Sequence, residues 1–348
     1  MRKPPHVLLL VDWAPEQGSL LMESIRKSGM PCDLMGTDFK QARWTPAIKI
    51  FSHWPRCLWV ALKAFRRRRD YDYVIAWPQV IGVFLGFIKF VTGSNLPRVF
   101  SLNTTLVERK NPFLEKPRRW FIALAYKKIN HISFLSNASM RLIQERFGLS
   151  AEQCVPLKQP LTYLINPDFA GFKPGSYLYS VGLSYRDYPT LMEAAKKTPH
   201  PFVVATTDAF LKGLTIPDNV TVYRNAFGSA AEELMKEAAA AIFPLERTTS
   251  PAGETTLVAA MCYGKPVITT ETLTTREYIT HGENGLLVPC KAPDAIVEAV
   301  KTLFSDPEKA AAMGRRARET ALENHTMDVY ARKIVEVIRK DLNEAQGE

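Results

Sequence analysis

The chain has 348 residues, a length that suits two domains of ordinary size. Hydrophobic residues make up 46% of it and charged residues 23%, a globular composition that excludes disordered, collagenous and coiled-coil proteins. Its five cysteines are odd in number, scattered and never spaced C-x-x-C. A disulfide framework or a zinc ribbon is therefore disfavoured, and a reducing, cytoplasmic compartment is the simplest expectation.

Positive charge is concentrated in the first half of the sequence. Residues 1–165 hold 25 basic and 11 acidic side chains, a net charge of +14, whereas residues 166–348 hold 20 and 24, a net charge of −4. Such an asymmetry indicates that the first half meets an anionic partner, which can be a nucleic acid, a membrane surface or an acidic substrate.

The first half alternates between apolar runs and helical patterns. His6–Val11 is apolar throughout, as a strand buried on both faces should be, and it lacks the cleavage site of a signal peptide. A proline, two glycines and a lysine interrupt the stretch Val74–Val91, which predicts a buried strand at Tyr73–Trp77 and a buried helix after it instead of a membrane span. Further strands are predicted at Pro31–Met35, Arg98–Leu102 and His131–Leu135, with helices at Ser19–Ser28, Pro55–Arg69, Val80–Phe90 and Pro117–Lys128.

A stretch rich in proline and glycine, Pro156–Gly175, ends this rhythm and is typical of a linker. A second series of strands and helices follows, from Tyr177–Val181 to Ala292–Phe304. The sequence therefore predicts an α/β protein of two Rossmann-like, doubly wound parallel-sheet domains, residues 1–165 and residues 166–325. A cleft between two such domains is the expected ligand site.

The most specific segment of the sequence is 243–289. After a predicted strand and a loop, a helix opens with Gly253, Glu254, Thr255 and Thr256. Glycine lets the backbone approach a ligand closely, and the free N–H groups, the two hydroxyls and the dipole at a helix start suit a phosphate. Ordinary capping of a buried helix is the alternative interpretation of the same residues.

This segment resembles the donor-binding region of GT-B glycosyltransferases, in particular the large family 4, or group 1. Leu257–Ile268 falls in register with the pattern L-E-A-M-A-x-G-x-P-V-I, and His281–Val288 matches D/H-G-x-x-G-L-L-V after an acidic residue, here Glu277. The resemblance covers about residues 175–335. It implies a metal-independent transferase of class EC 2.4 that uses a nucleotide-sugar as co-substrate and no other cofactor. It also implies that the last helix, residues 326–348, crosses back to the first domain.

The sequence departs from the family pattern at several positions. The family's two glutamates, spaced E-x7-E, are replaced by Pro251 and Ala259, so the usual ribose-binding glutamate is absent. Leu183 stands where an arginine is common, which leaves Arg186 as the implied phosphate cation, and Asn103 replaces a histidine of the first domain. The donor-binding residues that the resemblance implies are Arg186, Gly253, Glu254, Thr255, Thr256 and Glu277.

The predicted catalytic residues are Asp12, Asn103 and Glu254. Asp12 ends the first strand, where a carboxylate can act as general base in an inverting sugar transfer; a capping role is the alternative. No metal site is predicted, because the six histidines have no metal-ligand spacing and Asp70-Tyr71-Asp72 precedes a strand, unlike the D-x-D motif of metal-dependent transferases.

The helix predicted at Pro55–Arg69 mixes apolar and basic residues. Basic residues beside tryptophan suit the headgroup zone of an anionic membrane and equally a nucleic acid, while an amphipathic core helix with a solvated end is the plainer interpretation. The predicted membrane or acceptor contacts are Trp59, Arg66, Arg67, Arg68 and Arg69. Because the second-half motifs oppose a nucleic-acid enzyme, the expected partners are a nucleotide-sugar donor, a lipid-linked or anionic glycan acceptor and the inner face of an anionic membrane.

Two other functions fit the same sequence. A non-catalytic nucleotide-sugar or sugar-binding protein is favoured by Ala259 and opposed by Arg186 and the glycine loop. A nucleotide-sugar epimerase of the GT-B fold would form product without any acceptor, which distinguishes it from a transferase.

Overall fold

The computed structural model describes residues 5–15, 19–37, 53–105, 112–161, 170–226, 228–248 and 251–346. The chain divides into two compact units, one formed by Met1–Lys158 with Met327–Glu348 and the other by Gln159–Thr326. Residues 162–169 of the predicted linker lie outside the described residues. Each unit contains a six-stranded sheet whose neighbouring strands are all parallel, so the predicted pair of doubly wound sheets is confirmed.

The first unit follows the predicted alternation of strands and helices. Its strands are β1 (Val7–Leu10), β2 (Cys32–Met35), β3 (Tyr73–Ala76), β4 (Arg98–Ser101), β5 (His131–Phe134) and β6 (Cys154–Pro156). Its helices before the second unit are α1 (Leu20–Lys27), α2 (Trp54–Arg66), α3 (Gln79–Thr92), α4 (Pro112–Tyr126) and α5 (Asn137–Phe147). The strand order is β2-β1-β3-β4-β5-β6.

The second unit repeats the pattern with a different strand order, β12-β11-β10-β7-β8-β9. Its strands are β7 (Leu178–Val181), β8 (Phe202–Thr206), β9 (Val220–Arg224), β10 (Ala240–Phe243), β11 (Val267–Thr270) and β12 (Leu286–Val288). Its helices are α6 (Tyr188–Ala195), α7 (Asp208–Leu211), α8 (Ser229–Glu237), α9 (Glu254–Cys262), α10 (Pro293–Ser305) and α11 (Pro307–Asn324). The last helix of the chain, α12 (Met327–Gln346), belongs to the first unit.

Burial on both faces explains why the strands are continuous apolar runs. Successive side chains of a strand point to opposite faces of the sheet. In β1, Leu8 and Leu10 pack into the core on one face of the first sheet, while Val7 and Leu9 pack into the core on the other. Both faces are therefore covered by helices, as the absence of hydrophobic alternation in the sequence predicts.

Two elements of the first unit escaped prediction. Helix α5 has a mostly polar sequence, NASMRLIQERF, and of its side chains only Ser139 and Ile143 are buried. Strand β6 is a short edge strand that ends where the predicted linker begins. In α5 the apolar stripe is limited to Met140, Ile143 and Phe147 within a polar sequence, and β6 has only three residues, too few for a periodic pattern.

Helix α12 docks on the first sheet through an apolar stripe and one carboxylate. Tyr330, Ile334 and Ile338 recur at helical spacing and are buried among residues of β1, β3 and α1. Asp341 accepts hydrogen bonds from the Arg98 guanidinium at 2.6 and 2.7 Å. The hydroxyl of Tyr73, in β3, donates to the same carboxylate at 2.9 Å. The helix is thus fixed to β3 and β4 at its C-terminal end.

Each sheet has one point where the strand order reverses direction, and in such sheets ligands bind beyond the carboxyl ends of the strands at that point. In the first sheet the reversal lies between β1 and β3, and in the second it lies between β7 and β10. The loops that leave these four strands are therefore the first places to look for functional side chains.

Candidate active site

The loop that leaves β7 is built around a buried arginine. Arg186 is 5% exposed, and its guanidinium donates to the carbonyl oxygens of Val181 and Ser184 at 2.9 and 3.2 Å. It also donates to the hydroxyl of Thr256 at 2.8 Å. Gly182 leaves room for this arrangement, because a Cβ atom there would lie 2.4 Å from the guanidinium. Burial lowers the pKa of Arg186, but a guanidinium keeps its charge in proteins, so a positive charge lies beneath this loop.

The start of α9 lies directly against this arginine. Gly253 precedes the helix with φ +88°, a left-handed conformation that favours glycine. The Thr256 hydroxyl, which accepts from Arg186, donates to the Gly253 carbonyl at 2.9 Å. The first N–H groups of a helix have no intrahelical acceptor and form the positive end of its dipole. Together with the buried guanidinium, they make this helix start suited to an anion.

Glu254 is part of the same loop but is turned inward. It is 5% exposed, and its carboxylate accepts a hydrogen bond from the Ala252 N–H at 2.7 Å. Burial raises the pKa of Glu254 to about 7, which weakens the negative charge beside the helix start near neutral pH. Through this hydrogen bond to Ala252, Glu254 stabilises the loop that precedes α9.

A cavity of about 260 Å³ lies between the β7 loop, α8 and the start of α9. Its walls are mainly apolar, and the side chains with polar groups that line it are Glu232, Thr255, Thr256 and Tyr263. Ala259 also lines it, at the position where the family pattern has a glutamate. The Glu232 carboxylate accepts a hydrogen bond from the Tyr263 hydroxyl at 3.3 Å. A carboxylate therefore enters the cavity from α8, and α9 provides none.

Glu232 was not found by sequence reasoning. It lies in the segment SAAEELMKE, where alternating alanine and glutamate are indistinguishable from a solvated helix face. Only the packing of α8 beside α9 brings its carboxylate to the cavity. Glu277, by contrast, was predicted as a donor residue; it ends the 3₁₀ turn Thr275–Glu277 after β11, and within the described residues it does not line this cavity.

The reversal point of the first sheet carries an acid–imidazole pair and aromatic rings. Asp12 follows β1, and its carboxylate lies 3.6 Å from Nε2 of His53, the residue before α2. Trp13 and Trp77, from the loops after β1 and β3, meet edge to face with ring centroids 6.2 Å apart. The pairing of Asp12 with His53 was missed, since 41 residues separate the two in the sequence.

Asn103 lies at the same edge of the first sheet, after β4. Its φ of +52° is unusual for a residue other than glycine. The amide oxygen of Asn103 accepts a hydrogen bond from the Tyr330 hydroxyl at 2.9 Å, and its backbone N–H donates to the Ser133 hydroxyl at 2.9 Å. Asn103 is therefore held by α12 and β5, whereas Asp12 is paired with His53.

The predicted basic residues lie at the other edge of this sheet. Helix α2 begins beside Asp12 and has 13 residues, so its C-terminal end is about 20 Å away. Trp59 is 43% exposed with the Lys63 ammonium 3.4 Å from its ring centre, and Arg66 is exposed. Arg67 pairs with Asp70 at 2.9 Å. The structure thus separates Arg66–Arg69 from the predicted catalytic residues of the first unit, whereas Trp59 lies in the first half of α2.

The described ranges contain neither a cluster of metal ligands nor a helix that could span a membrane. Within those ranges there is no group of three or more histidine, cysteine or acidic side chains that could hold a metal ion. Asp70 is paired with Arg67, and Asp72 accepts a hydrogen bond from the backbone N–H of His6 at 2.8 Å. None of the described helices combines the length and the hydropathy that crossing a bilayer requires.

Comparison with known proteins decides the class of chemistry. Residues 206–320, which include α8, α9 and the loop between them, match the family described as "Glycosyl transferases group 1". The match covers roughly a third of the chain and lies within the second unit. The predicted identification as a GT-B glycosyltransferase with group 1 features in its C-terminal half, and as an enzyme of class EC 2.4, is therefore confirmed.

Individual glycosyltransferases resemble the chain over different lengths. It is 26% identical over 266 residues to D-rhamnosyltransferase WbpZ of Pseudomonas aeruginosa. The aligned region covers 71% of this chain and 67% of that protein. It is 32% identical over 82 residues to a GDP-mannose-dependent phosphatidylinositol monomannoside mannosyltransferase of Mycobacterium tuberculosis. This aligned region covers 24% of this chain and 21% of that protein.

Solved structures resemble the glycosyltransferase over almost its whole length. HepE of Anabaena, solved in complex with UDP, has a TM-score of 0.68 at 15% identity and covers 96% of this chain and 100% of its own. Sucrose-phosphate synthase of Thermosynechococcus elongatus has a TM-score of 0.74 at 13% identity, and the superposition covers 99% of this chain and 100% of that one. At such low identities the likeness establishes the GT-B fold and nothing finer.

Proposed function

We propose that the chain transfers a hexosyl group from a nucleoside-diphosphate sugar to a lipid-linked or anionic glycan, without a protein-bound metal. The observation that carries the proposal is the juxtaposition of a buried guanidinium, a helix start and two threonine hydroxyls at the carboxyl end of β7. HepE was solved with UDP, and one relative is named as GDP-mannose-dependent, which supports a nucleotide-sugar donor here.

The donor diphosphate is placed at the start of α9. Sugar transfer breaks the bond between the anomeric carbon and the diphosphate oxygen, so negative charge develops on the departing diphosphate. The N–H groups of Thr255 and Thr256, the positive end of the α9 dipole and the charge of Arg186 stabilise that charge. Arg186 acts from beneath the loop, through Thr256, as a positioning residue. Because these groups are fixed before reaction, a divalent cation is not required for the leaving group.

Glu232 is proposed to bind the ribose of the donor. A carboxylate in an otherwise apolar cavity is well suited to accept hydrogen bonds from the two hydroxyls of a ribose, as acidic residues do in dinucleotide-binding folds. The Tyr263 hydroxyl holds Glu232 in place at 3.3 Å, and the small side chain of Ala259 leaves the space open. Glu232 would thus replace the glutamate that the family pattern has at position 259.

The first unit is proposed to bind the acceptor at the carboxyl edge of its sheet. Asp12 and His53 form a pair that can orient an acceptor hydroxyl and receive its proton as the new glycosidic bond forms. Asn103 contributes an amide held by Tyr330. Trp13 and Trp77 offer aromatic faces beside Asp12, and such faces suit the apolar face of a sugar ring.

An anionic membrane is proposed as the place where the acceptor is met, from its cytoplasmic side. Helix α2 exposes Trp54, Leu58, Trp59 and Leu62 at 37–43% of their surface. Helix α4 exposes Phe113 and Trp120 at 87% and 64%. Exposed aromatic and leucine side chains beside basic residues are typical of an interfacial surface.

Donor binding can be tested with ribose and 2′-deoxyribose nucleoside diphosphates. The wild type is expected to prefer the ribose form by at least about tenfold, since hydrogen bonds to a charged group contribute roughly 1.5–3 kcal/mol. Glu232→Gln should lose much of that preference, whereas Glu233→Gln, on the same helix but exposed and paired with Lys236, should keep it. Equal affinities of the wild type for both forms would refute the ribose assignment.

Transfer itself is tested with a radiolabelled nucleotide-sugar and a glycan acceptor. Label in the glycan fraction supports the proposal. Donor binding without turnover would indicate a non-catalytic binding protein, and conversion of the donor sugar without acceptor would indicate an epimerase.

A further inference from the structure

A second cavity, of about 740 Å³, lies at the amino edge of the first sheet, opposite the edge that carries Asp12 and Asn103. It is enclosed by the C-terminal ends of α2, α3 and α4 and by the loops that lead into β3, β4 and β5. Its cationic lining residues are Arg68, Arg69, Lys89, Arg98, Lys127 and Lys128, and its one carboxylate is Asp72. We refer to it as the basic cavity.

Most of this charge has no counter-ion among the residues that the structure describes. Arg98 is neutralised by Asp341, and Asp72 accepts a hydrogen bond from His6. Among the described residues, Arg68, Arg69, Lys89, Lys127 and Lys128 form no ion pair. Cations at helix C-termini complement the helix dipole. Here, however, five cations without an ion pair among the described residues gather in one cavity.

Lys89 is the most informative of these residues. It is 1% exposed, yet its ammonium donates to one protein acceptor only, the carbonyl oxygen of Pro97 at 2.5 Å. An ammonium has three N–H donors. Over the residues that the structure describes, two of the three are therefore left without an acceptor, in a side chain that lines the basic cavity.

Lys265, in the second unit, shows what a purely structural buried lysine looks like. It is fully buried, and its ammonium donates to the carbonyls of Gly171, Lys236 and Ala238 at 2.6, 2.7 and 2.7 Å. All three of its donors are satisfied. Burial lowers the pKa of both lysines to about 7. At Lys89 the positive charges of Lys128 and Arg98 lower the pKa further in the same direction. Lys89 thus has the same cost of burial with fewer compensating hydrogen bonds.

We propose that the basic cavity binds a phosphate-bearing anion, with Lys89 at its base and Arg68, Arg69, Lys127 and Lys128 around it. A phosphate group offers several acceptor oxygens and up to two negative charges, which match an ammonium with two unused donors and four further cations. The site is separate from the proposed donor and acceptor sites, because it lies at the amino edge of the first sheet.

Pyrophosphate serves as the probe, and NMR of the backbone amides of Leu96, Ile129 and Asn130 reports binding locally. These residues line the basic cavity, so the donor site cannot produce the signal. Shifts at these amides are expected for the wild type, with affinity at least about tenfold weaker in Lys127→Gln/Lys128→Gln. Lys333→Gln, which removes an exposed charge on α12, should not change the affinity. No shift with pyrophosphate, or equal affinity in all three proteins, would overturn the proposal.

A pair of methionine variants separates a ligand-binding lysine from a structural one. Lys89→Met should weaken pyrophosphate binding at least about tenfold while the midpoint of thermal unfolding stays level or rises, since an apolar side chain replaces a poorly compensated charge. Lys265→Met should lower the midpoint, because it leaves three carbonyls without their donor. A loss of stability in Lys89→Met with unchanged pyrophosphate binding would mean that Lys89 is structural and that the site is wrongly assigned.

The source of the phosphate is resolved with vesicles of phosphatidylcholine, with and without phosphatidic acid. Displacement of the wild type from the acidic vesicles by pyrophosphate assigns the cavity to a lipid headgroup. The alternative result is that Lys127→Gln/Lys128→Gln loses pyrophosphate binding but still binds the vesicles as the wild type does. That result assigns the cavity to a soluble phosphate ester. Both results support a phosphate site, and they differ only in its natural ligand.

Discussion

The two sheets of this glycosyltransferase share an architecture but place their positive charge at opposite edges. In the second unit a buried arginine and a helix start meet at the carboxyl ends of β7 and β10, where the strand order reverses. In the first unit the corresponding point carries Asp12, His53 and two tryptophans, and the unpaired cations gather at the amino edge. Topology therefore fixes where a site forms, whereas the loop residues decide its chemistry.

The difference also changes how the charge asymmetry of the sequence is understood. The half of the chain with a net charge of +14 is not the half that carries the helix start at which we propose the donor diphosphate binds. In this proposal one buried guanidinium, held by three acceptors, contributes more to diphosphate binding than several exposed cations, because exposed charges are screened by water and salt. Net charge points to a partner for the first unit, and local geometry points to the donor site.

The largest expected effect on the rate of sugar transfer comes from a change between β7 and β10, where the strand order of the second sheet reverses. Arg186→Ala should lower the rate of sugar transfer by roughly 10²–10³, the usual loss when one preorganised electrostatic group is removed. Arg316→Ala, on the exposed face of α11, is the control and should leave the rate unchanged. The measurement is initial-rate transfer at saturating donor; full activity of Arg186→Ala would show that the buried charge does not serve the reaction.

The first unit is expected to depend more on its ion pairs for stability. Asp341→Asn should lower the free energy of unfolding of this unit by about 3 kcal/mol, since it leaves the partly buried Arg98 without its carboxylate. Glu344→Gln, one turn further along α12 and exposed, should change it little. Urea unfolding followed by the amides of each unit measures both variants.

The same pair has a defined pH dependence. Burial alone would raise the pKa of Asp341, but the His131 imidazole 3.5 Å away and hydrogen bonds from Arg98 and Tyr73 outweigh it, and the net pKa lies well below its usual value. The stabilisation is therefore complete above pH about 4 and is lost as the pH falls further. In Asp341→Asn this acid-induced loss should disappear; if the two proteins lose stability in parallel, another carboxylate is responsible.

The two buried lysines sharpen the comparison of the units. A folded-state pKa of about 7, against 10.5 for the free side chain, means that the unfolded chain binds an extra proton between these values. Stability should therefore rise with pH, by up to about 1.4 kcal/mol per pH unit for each lysine. Urea unfolding at pH 7.5 and 8.5 should show a smaller slope in Lys89→Met and in Lys265→Met than in the wild type, and the buried thiols, which are common to all three proteins, cancel in this comparison. Identical slopes in wild type and variants would contradict the assignment.

A smaller effect is expected at the basic end of α2. Replacing Arg66, Arg67, Arg68 and Arg69 with glutamine should weaken binding to anionic vesicles by at least about tenfold, since each basic residue near such a surface contributes about 1 kcal/mol at most. Donor binding in the second unit should be unchanged. The half-variants Arg66→Gln/Arg67→Gln and Arg68→Gln/Arg69→Gln separate the helix surface from the basic cavity. If the full variant still sediments with the vesicles, these arginines form a solvated helix end.

No effect at all is expected from metal removal. Transfer in excess chelator should proceed at the untreated rate, because the proposed donor site stabilises the leaving diphosphate with protein groups alone. Rescue by manganese after loss of activity would contradict this and would return attention to Asp70 and Asp72.

Much of the fold could be predicted because continuous apolar strands and amphipathic helices are local patterns. The site was only partly accessible in this way. The run Gly253–Thr256 was recognised as a motif, and Arg186 was implied by the family resemblance, since Leu183 stands where an arginine is common. Glu232 and His53 were missed, since each becomes notable only through a neighbour distant in sequence, Tyr263 and Asp12. Helix α5 was missed because its apolar stripe of three residues lies within a mostly polar sequence.

The sequence by itself determined the two parallel sheets, the helix start at Gly253 and the separation of charge between the halves, because burial, capping and charge are properties of neighbouring residues. Only the tertiary structure decided which charges are used. Lys89 and Lys265 are both buried lysines, yet one has a single acceptor and the other has three, contributed by segments up to 94 residues away. Hydrogen-bond geometry depends on distances in space, and a linear sequence does not contain them.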